Sequence, residues 1–217
     1  MNISVLVSGG GTNLQAIIDR IRNGHLAGVH ISLVITSNPE AFAIQRAETE
    51  GIPVRVISRK NFSNPDEYDS VMLSSLVEAK TDLVVLAGFL SLLGPEVIRH
   101  FIDRIINIHP ALIPSFCGPG MYGIRPHQAA LARGVKVSGA TVHFVNEHYD
   151  EGPIILQKAI DVLPDDTPET LQKRIMVECE QELLPQAIRL IADQRIQIDN
   201  NIVTLLADSM PAGKETL

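Results

Sequence analysis

Cysteine is scarce: Cys117 and Cys179 are the only two in 217 residues. They lie far apart with no export signal nearby, so a disulfide framework is excluded and both read as reduced thiols. Long apolar runs are absent too. None approaches the roughly 20 residues a bilayer span needs, which argues against a membrane partner. Basic charge is short as well, with a net charge of -7. A nucleic-acid footprint calls for a basic face, so no nucleic-acid partner is expected, although a local basic pocket could still hold an anion. The start, Met1-Asn2-Ile3-Ser4-Val5, lacks the charged and apolar regions of a signal peptide. No His/Cys/Asp/Glu cluster has the close spacing of a zinc site, so no metal is expected. What remains is an ordinary globular composition, 45% apolar and 20% charged, expected to be soluble and cytoplasmic.

Strand-like and helix-like segments alternate over the first half of the chain. Ile3 to Val7 is an apolar run, and Leu14, Ile17, Ile18 and Ile21 follow at helical spacing. His30 to Thr36, Val54 to Ile57, Asp82 to Ala87 and Ile105 to Ile108 read as further strands. Ala41 to Glu50, a segment reaching about Lys80 and a short turn from Pro95 read as the helices between them. That alternation predicts an α/β fold with an open, doubly wound, mostly parallel sheet. The second half differs. Pro114 to Pro126 is rich in Gly and Pro and reads as a loop, before a short helix from Gln128 to Arg133 closed by Gly134. Gly139 to Val145 and Pro153 to Val162 read as two strands joined by a polar loop. Thr167-Pro168 opens a helix running to Leu184 or beyond, and Ile196 to Leu206 reads as a hairpin. Residues 1–207 are expected to form a single domain, followed by a flexible tail over 208–217.

The most informative run is Ile105-Ile106-Asn107-Ile108-His109-Pro110. Residues two apart in a strand point the same way, so Asn107 and His109 project together from a strand end. A neutral amide donor beside a group that exchanges protons near neutrality suits chemistry at a carbonyl. A polar cap on the following turn would need the same residues. The loop Ser8-Gly9-Gly10-Gly11-Thr12-Asn13 comes next. Amides of Gly11, Thr12 and Asn13 at a helix start can hold an anion. A dinucleotide fingerprint fails, because its third glycine position falls on Leu14 and no acid ends the second strand. The Lys-Ser/Thr ending of a triphosphate loop is missing as well. A phosphate monoester fits best, and a tight turn with no ligand is the alternative. The third feature is Asp150, ahead of a Gly-Pro turn, which could face an imidazole or simply stay solvated.

The remaining histidines read as structural. His25, His30 and His100 sit near helix ends or loops, and His127 lies at a loop-to-helix junction. His143 alternates with apolar neighbours and reads as a satisfied strand histidine. Cys117 has no evident paired base, so it is not expected to be a nucleophile.

Three strings together resemble the folate-dependent formyltransferases: Ser8 through Gln15, Asn107 through Pro114, and Thr141 through Val145 continuing into Asp150 through Ile155. The resemblance spans about residues 1 to 190 and is nearest to the small members that serve purine synthesis. It implies an open sheet closed by an antiparallel edge. It implies transfer of a formyl group from 10-formyltetrahydrofolate to the amine of 5-phosphoribosylglycinamide, by a monomer or homodimer. It implies Asn107 as oxyanion donor and His109 as proton-transfer residue, with Asp150 raising the pKa of His109. Gly11, Thr12 and Asn13 would take the phosphate, with Gly88, Pro110, Val177 and Glu180 on the amine and ribose side. Leu90, Ser91, Leu92, Leu93, Asn107, Asn146, Glu147, His148, Tyr149 and Asp150 would receive the folate. Ser91 and Pro65 stand where the family commonly has basic residues, so either dependence on the folate's glutamate tail is weaker or Arg59, Lys60 or Arg125 compensates there. Two other functions remain open: formyltetrahydrofolate hydrolysis, and binding of a phosphorylated ligand without catalysis.

Overall fold

The computed structural model describes residues 1–207, so the expected tail over 208–217 lies outside the described residues. A sheet of seven strands runs in the order β3-β2-β1-β4-β5-β6-β7. Its parallel part comprises β1 (Asn2–Val7), β2 (His30–Thr36), β3 (Val54–Val56), β4 (Leu83–Leu86) and β5 (Ile105–His109). β6 (Val137–Phe144) and β7 (Ile154–Asp161) then add the antiparallel edge.

β1 and β4 are almost wholly apolar because both faces are covered. Val5 and Val7 pack with Leu14 and Ile17 of α1 (Thr12–Arg22) and Ile188 of α7 (Gln181–Ala192). Leu6, between them, points the other way, to Met72 of α3 (Pro65–Glu78) and Val97 of α4 (Pro95–His100). α2 (Ala43–Thr49) completes the first half. Because β2 and β4 flank β1 on opposite sides, the connections after β1 and β4 diverge and leave a crevice at the strands' carboxyl ends. Functional residues of an open sheet concentrate there.

Helix starts follow local chemistry. Pro65 and Pro95 occupy first-turn positions, and Asn64 caps α3 by accepting from the Asp66 N–H at 2.9 Å. Buried Asp69 accepts from the Glu96 N–H at 2.7 Å and so caps α4 from a neighbouring helix. Thr167 and Thr170 cap each other's backbone at the head of α6 (Pro168–Ile175).

Element ends differ from the expected ones by a residue or two in several places, and three departures lie in the second half of the chain. α5 (Arg125–Arg133) starts three residues early, because Pro126 suits a first turn as well as a loop. β6 begins at Val137, two residues before the expected start at Gly139. The late helix is not continuous: α6 passes through a π turn, Met176–Glu180, into α7, which contains Pro185. Pro185 has no N–H for the Gln181 carbonyl and crowds it, and the widened turn just before Gln181 takes up the offset. At the end of the described chain β8 (Ile196–Asp199) and β9 (Ile202–Leu205) form the expected hairpin, with Asn200 and Asn201 at φ 47° and 65°. Among the described residues no helix is long and apolar enough to cross a membrane.

Candidate active site

β5 delivers Asn107 and His109 to the carboxyl end of the sheet, where both line one cavity of about 370 Å³. Across the antiparallel ladder Asn107 stands opposite His143, and His109 opposite Thr141. Nδ1 of His143 bonds the Phe144 carbonyl at 2.8 Å. A carbonyl only accepts, so Nδ1 carries the proton and Nε2 of the neutral ring can accept. Asn107 Nδ2 donates to it at 3.2 Å. The amide is thereby oriented, and its second N–H stays available. His143 is the satisfied strand residue expected, but it is satisfied by Asn107, which places it in the site. Its alternation along β6 was visible in the sequence; its partner across the ladder was not.

Asp150 arrives on the loop between β6 and β7. That loop folds back tightly at Gly152, where a Cβ would lie 1.8 Å from the Phe144 carbonyl oxygen, so only glycine fits. Asp150 itself adopts φ 57°, a conformation Asp tolerates better than most residues. Its Oδ2 accepts from the Gly118 N–H at 2.9 Å and lies 3.7 Å from His109 Nδ1. Its Oδ1 lies 3.6 Å from His143 Nε2. Nε2 of His109 donates to the Phe116 carbonyl at 2.9 Å, so in the neutral ring the lone pair sits on Nδ1, facing the carboxylate.

The electrostatics follow from burial. Desolvation is the largest influence on His109 and lowers its pKa. The Phe116 bond and the Asp150 charge push upward and the His143 ring downward, and the net shift is down. Asp150 thus pushes the His109 pKa upward as expected, but burial, which no motif shows, outweighs it. Burial also works to raise the Asp150 carboxyl, yet the adjoining His143 ring, the bond from the Gly118 N–H and the charge of His109 hold it below the usual carboxylate range. His127, fully buried in α5 with no partner on either ring nitrogen among the described residues, is pushed down to about 4 by burial and then by the His109 charge.

The glycine loop forms the far wall of the same cavity. Gly11 holds φ 68°, where a Cβ would lie 2.7 Å from that of Ala43. The loop is braced by Ser8, whose N–H donates to the Gly88 carbonyl at 3.0 Å and whose Oγ accepts from the Leu90 N–H at 2.8 Å. Arg46 holds it from beneath, with Nε on the Gly10 carbonyl at 2.8 Å. Opposite stands the π turn. Thr12 Oγ1 donates to Met176 Sδ at 3.1 Å, and Asn13 Nδ2 donates to the Glu180 carboxylate at 2.7 Å. Burial raises the pKa of Glu180, and the Asn13 bond offsets part of that rise. Gly88 and Pro110 also line the cavity. Val177 does not. It is half-exposed and lines a separate depression beside α1, because the widened turn sends it away from Glu180. Glu169, Gln172 and Lys173 of α6 line the cavity instead and went unnoticed in the sequence, although their spacing from Met176 and Glu180 was a usable signal.

A second cavity, about 530 Å³, adjoins the first. Leu90, Ser91, Leu92 and Leu93 line it from the loop after β4. Asn146, Glu147, His148, Tyr149 and Asp150 line it from the loop after β6. Leu86, Phe89 and Val145 supply an apolar wall, and Asn107 and Asp150 belong to both cavities. None of Arg59, Lys60 and Arg125 lines it. Arg59 donates to the Phe62 carbonyl at 2.8 Å, whereas Arg125 sits over the Tyr122 ring at 4.8 Å and donates to Gly120, and both of those residues line the cavity. Pro65 opens α3. Burial raises the Cys117 thiol, which leaves it a poor nucleophile. Among the described residues no group of His, Cys, Asp and Glu could hold a metal ion.

An oriented amide, a buried imidazole and a carboxylate brought together beside two adjoining cavities are the arrangement of an α/β enzyme suited to chemistry at a carbonyl carbon. Comparison with known proteins narrows the class. Residues 1–188 match the family described as formyl transferase. The chain belongs to that family. It is 37% identical over 209 residues to the phosphoribosylglycinamide formyltransferase of Haemophilus influenzae, covering 96% of this chain and 95% of that protein. Glycinamide ribonucleotide transformylase 1 of Symbiobacterium toebii superposes with a TM-score of 0.89 at 40% identity, covering 95% of this chain and 94% of that one. A formyltetrahydrofolate deformylase of Pseudomonas syringae also superposes, with a TM-score of 0.85, at 26% identity and over 95% of this chain but 66% of its own. The chain spans 19% of the trifunctional purine biosynthetic proteins of cattle and human that it also matches.

Proposed function

We propose that this chain transfers the formyl group of 10-formyltetrahydrofolate to the amine of 5-phosphoribosylglycinamide, in the cytoplasm, as a step of purine synthesis. The observation that carries the reading is that Asn107 and Asp150 line both cavities, with His109 beside them in the first. One cavity has a glycine loop suited to a phosphate, and the other has apolar walls and backbone groups suited to a flat heterocycle. The residues present therefore fit both substrates. The folate supplies an activated formyl carbon; the chain supplies alignment, charge and a proton path.

The free N–H of Asn107 donates to the formyl oxygen as negative charge develops there, a contact worth roughly 10²–10³ in rate. Nδ1 of neutral His109 takes the proton that the amine loses as its nitrogen bonds the formyl carbon. The same proton then goes to the folate nitrogen as the old carbon–nitrogen bond breaks, so the imidazole returns unchanged. Such transfer contributes roughly 10²–10⁴. Asp150 stabilises the transient imidazolium. Glu180, held by Asn13, faces the incoming amine.

The test is an assay of tetrahydrofolate release from 10-formyltetrahydrofolate with and without 5-phosphoribosylglycinamide. Release that requires the amine and yields its formyl derivative is the expected result. Release of formate regardless of the amine would mean a hydrolase, and no release at all would mean a binding protein.

A further inference from the structure

The phosphate loop lacks a positive side chain of its own, and carboxylates crowd the cavity it faces. Asp150, Glu169 and Glu180 all line that cavity. A phosphate monoester brings close to two negative charges at neutral pH, so backbone amides and a helix terminus must be supplemented to hold it there. Arg46 is near the loop but already engaged. Its Nε bonds Gly10, one terminal nitrogen bonds Gln15 at 2.9 Å, and its guanidinium lies over the Phe42 ring at 5.0 Å. Arg174 is engaged too, with Asp166 at 2.8 Å and the Asp161 carbonyl at 3.1 Å.

Lys173 differs. Among the described residues it is the only lysine or arginine lining the cavity, and it is exposed there. It lies on the face of α6 that meets the loop, three residues before Met176, whose sulfur accepts the Thr12 hydroxyl at 3.1 Å. One helical turn is about 5.4 Å, a span that the four-carbon stem of lysine covers. Asn13, only 6% exposed, spends its Nδ2 on Glu180 and leaves Oδ1 without a partner among the described residues. That oxygen accepts, so it suits a hydroxyl or amine of the ligand, and the charge of the phosphate falls to Lys173.

We propose that Lys173 is the cation that pairs with the substrate's phosphate, closing the anion site from the α6 side opposite the amides of Gly11, Thr12 and Asn13. The inference rests on the functional reading above but does not require catalysis. Lys173 is a binding residue that selects phosphorylated over unphosphorylated ribosides, and Met176 fixes its distance from the loop by resting on Thr12.

The experiment is calorimetric binding of ribose 5-phosphate and of unphosphorylated ribose-amide to the wild type, Lys173→Gln and Lys173→Arg, at low and high salt. For the phosphate ester, Lys173→Gln should weaken binding tenfold or more, the scale on the order of one charge-assisted contact. It should also flatten the salt dependence. Lys173→Arg should restore most of the loss, and the unphosphorylated ligand should not distinguish the three proteins. Equal affinity of wild type and Lys173→Gln for the ester overturns the inference, as does a loss that is the same for both ligands. Formyl transfer measured on the same wild-type sample separates the two readings. An active enzyme indifferent to position 173 loses only this inference, whereas an inactive one whose Lys173 still selects the ester loses only the proposed reaction.

Discussion

Nδ1 of His109 lies 3.7 Å from Asp150 Oδ2 while its Nε2 is bonded to the Phe116 carbonyl at 2.9 Å. The ring is thus held by the loop on one side and faces a carboxylate on the other. Burial keeps it neutral to lower pH than an ordinary histidine, and Asp150 limits how far it falls. The acid limb of kcat/KM, which reports the free enzyme, should therefore have its midpoint below about 6.5. Asp150→Asn removes an upward push, so its limb should move further into acid while the rate falls. A wild-type midpoint at or above that value, or a shift toward alkali in the variant, contradicts the assignment of His109 as base.

His109→Ala should lower turnover at least about a hundredfold, the low end of general acid–base catalysis, while ribose 5-phosphate still binds. The phosphate loop and the imidazole are separate walls of the cavity, so the variant loses proton transfer and not the anion site. Steady-state kinetics paired with calorimetry check both halves. Turnover near that of the wild type would remove His109 from the mechanism.

His143→Phe tests the residue that enters the site only through the ladder. Without Nε2 the Asn107 amide loses the acceptor that orients it at 3.2 Å. Misalignment of a catalytic group on the ångström scale costs up to about 10² in rate, and a fall of tenfold or more in kcat is expected here. Unfolding measured alongside separates misorientation from a damaged fold. A variant with normal kcat would leave His143 a purely structural partner.

The parallel sheet was legible because its strands are short apolar runs separated by amphipathic helices, and period alone tells these apart. That Asn107 and His109 project together was legible because they lie two apart on one strand, whereas Asp150 joined them only through the family resemblance, since a Gly-Pro turn leaves both a solvated and an inward carboxylate open. Contacts made across the sheet or between distant helices were not legible. His143 joins Asn107 through strand pairing over 36 residues, and Glu180 meets Asn13 over 167. The π turn is invisible to a helical pattern, since it widens one turn without changing which residues are apolar. It nonetheless decides that Glu180 faces the cavity and Val177 does not. The net His109 shift was out of reach for a related reason: the upward push of a neighbouring carboxylate can be read from a motif, but the depth of burial cannot.

His127 predicts acid sensitivity. Its pKa is near 6.5 in an unfolded chain and about 4 in the fold. Between those values the unfolded state binds the proton and the folded state resists it. Its contribution to stability is complete above about pH 6.5 and lost as pH falls toward 4, a change of about 3 kcal/mol. Denaturant unfolding at pH 7 and pH 4 should show a loss smaller by about that amount in His127→Leu than in the wild type. The slope that persists in the variant would include His109, which burial shifts the same way. Equal losses in the two proteins would mean that His127 is hydrated or paired in solution.

Gly11 is where backbone geometry and the anion site meet. A side chain there must adopt φ 68° and push into Ala43, whose Cβ would be 2.7 Å away. The left-handed conformation alone costs about 1–2 kcal/mol, and Ala43 sits in α2 with Arg46, which braces the same loop at the Gly10 carbonyl. Gly11→Ala should therefore lower stability by at least that amount and weaken ribose 5-phosphate binding in the same protein, since the amides of residues 11–13 move together. Gly10→Ala is the contrast. A Cβ there meets nothing within 4 Å, so folding stability should stay within about 0.5 kcal/mol of the wild type. Equal destabilisation by the two substitutions would show that loop strain is spread over all its glycines and that Gly11 has no special place in the turn.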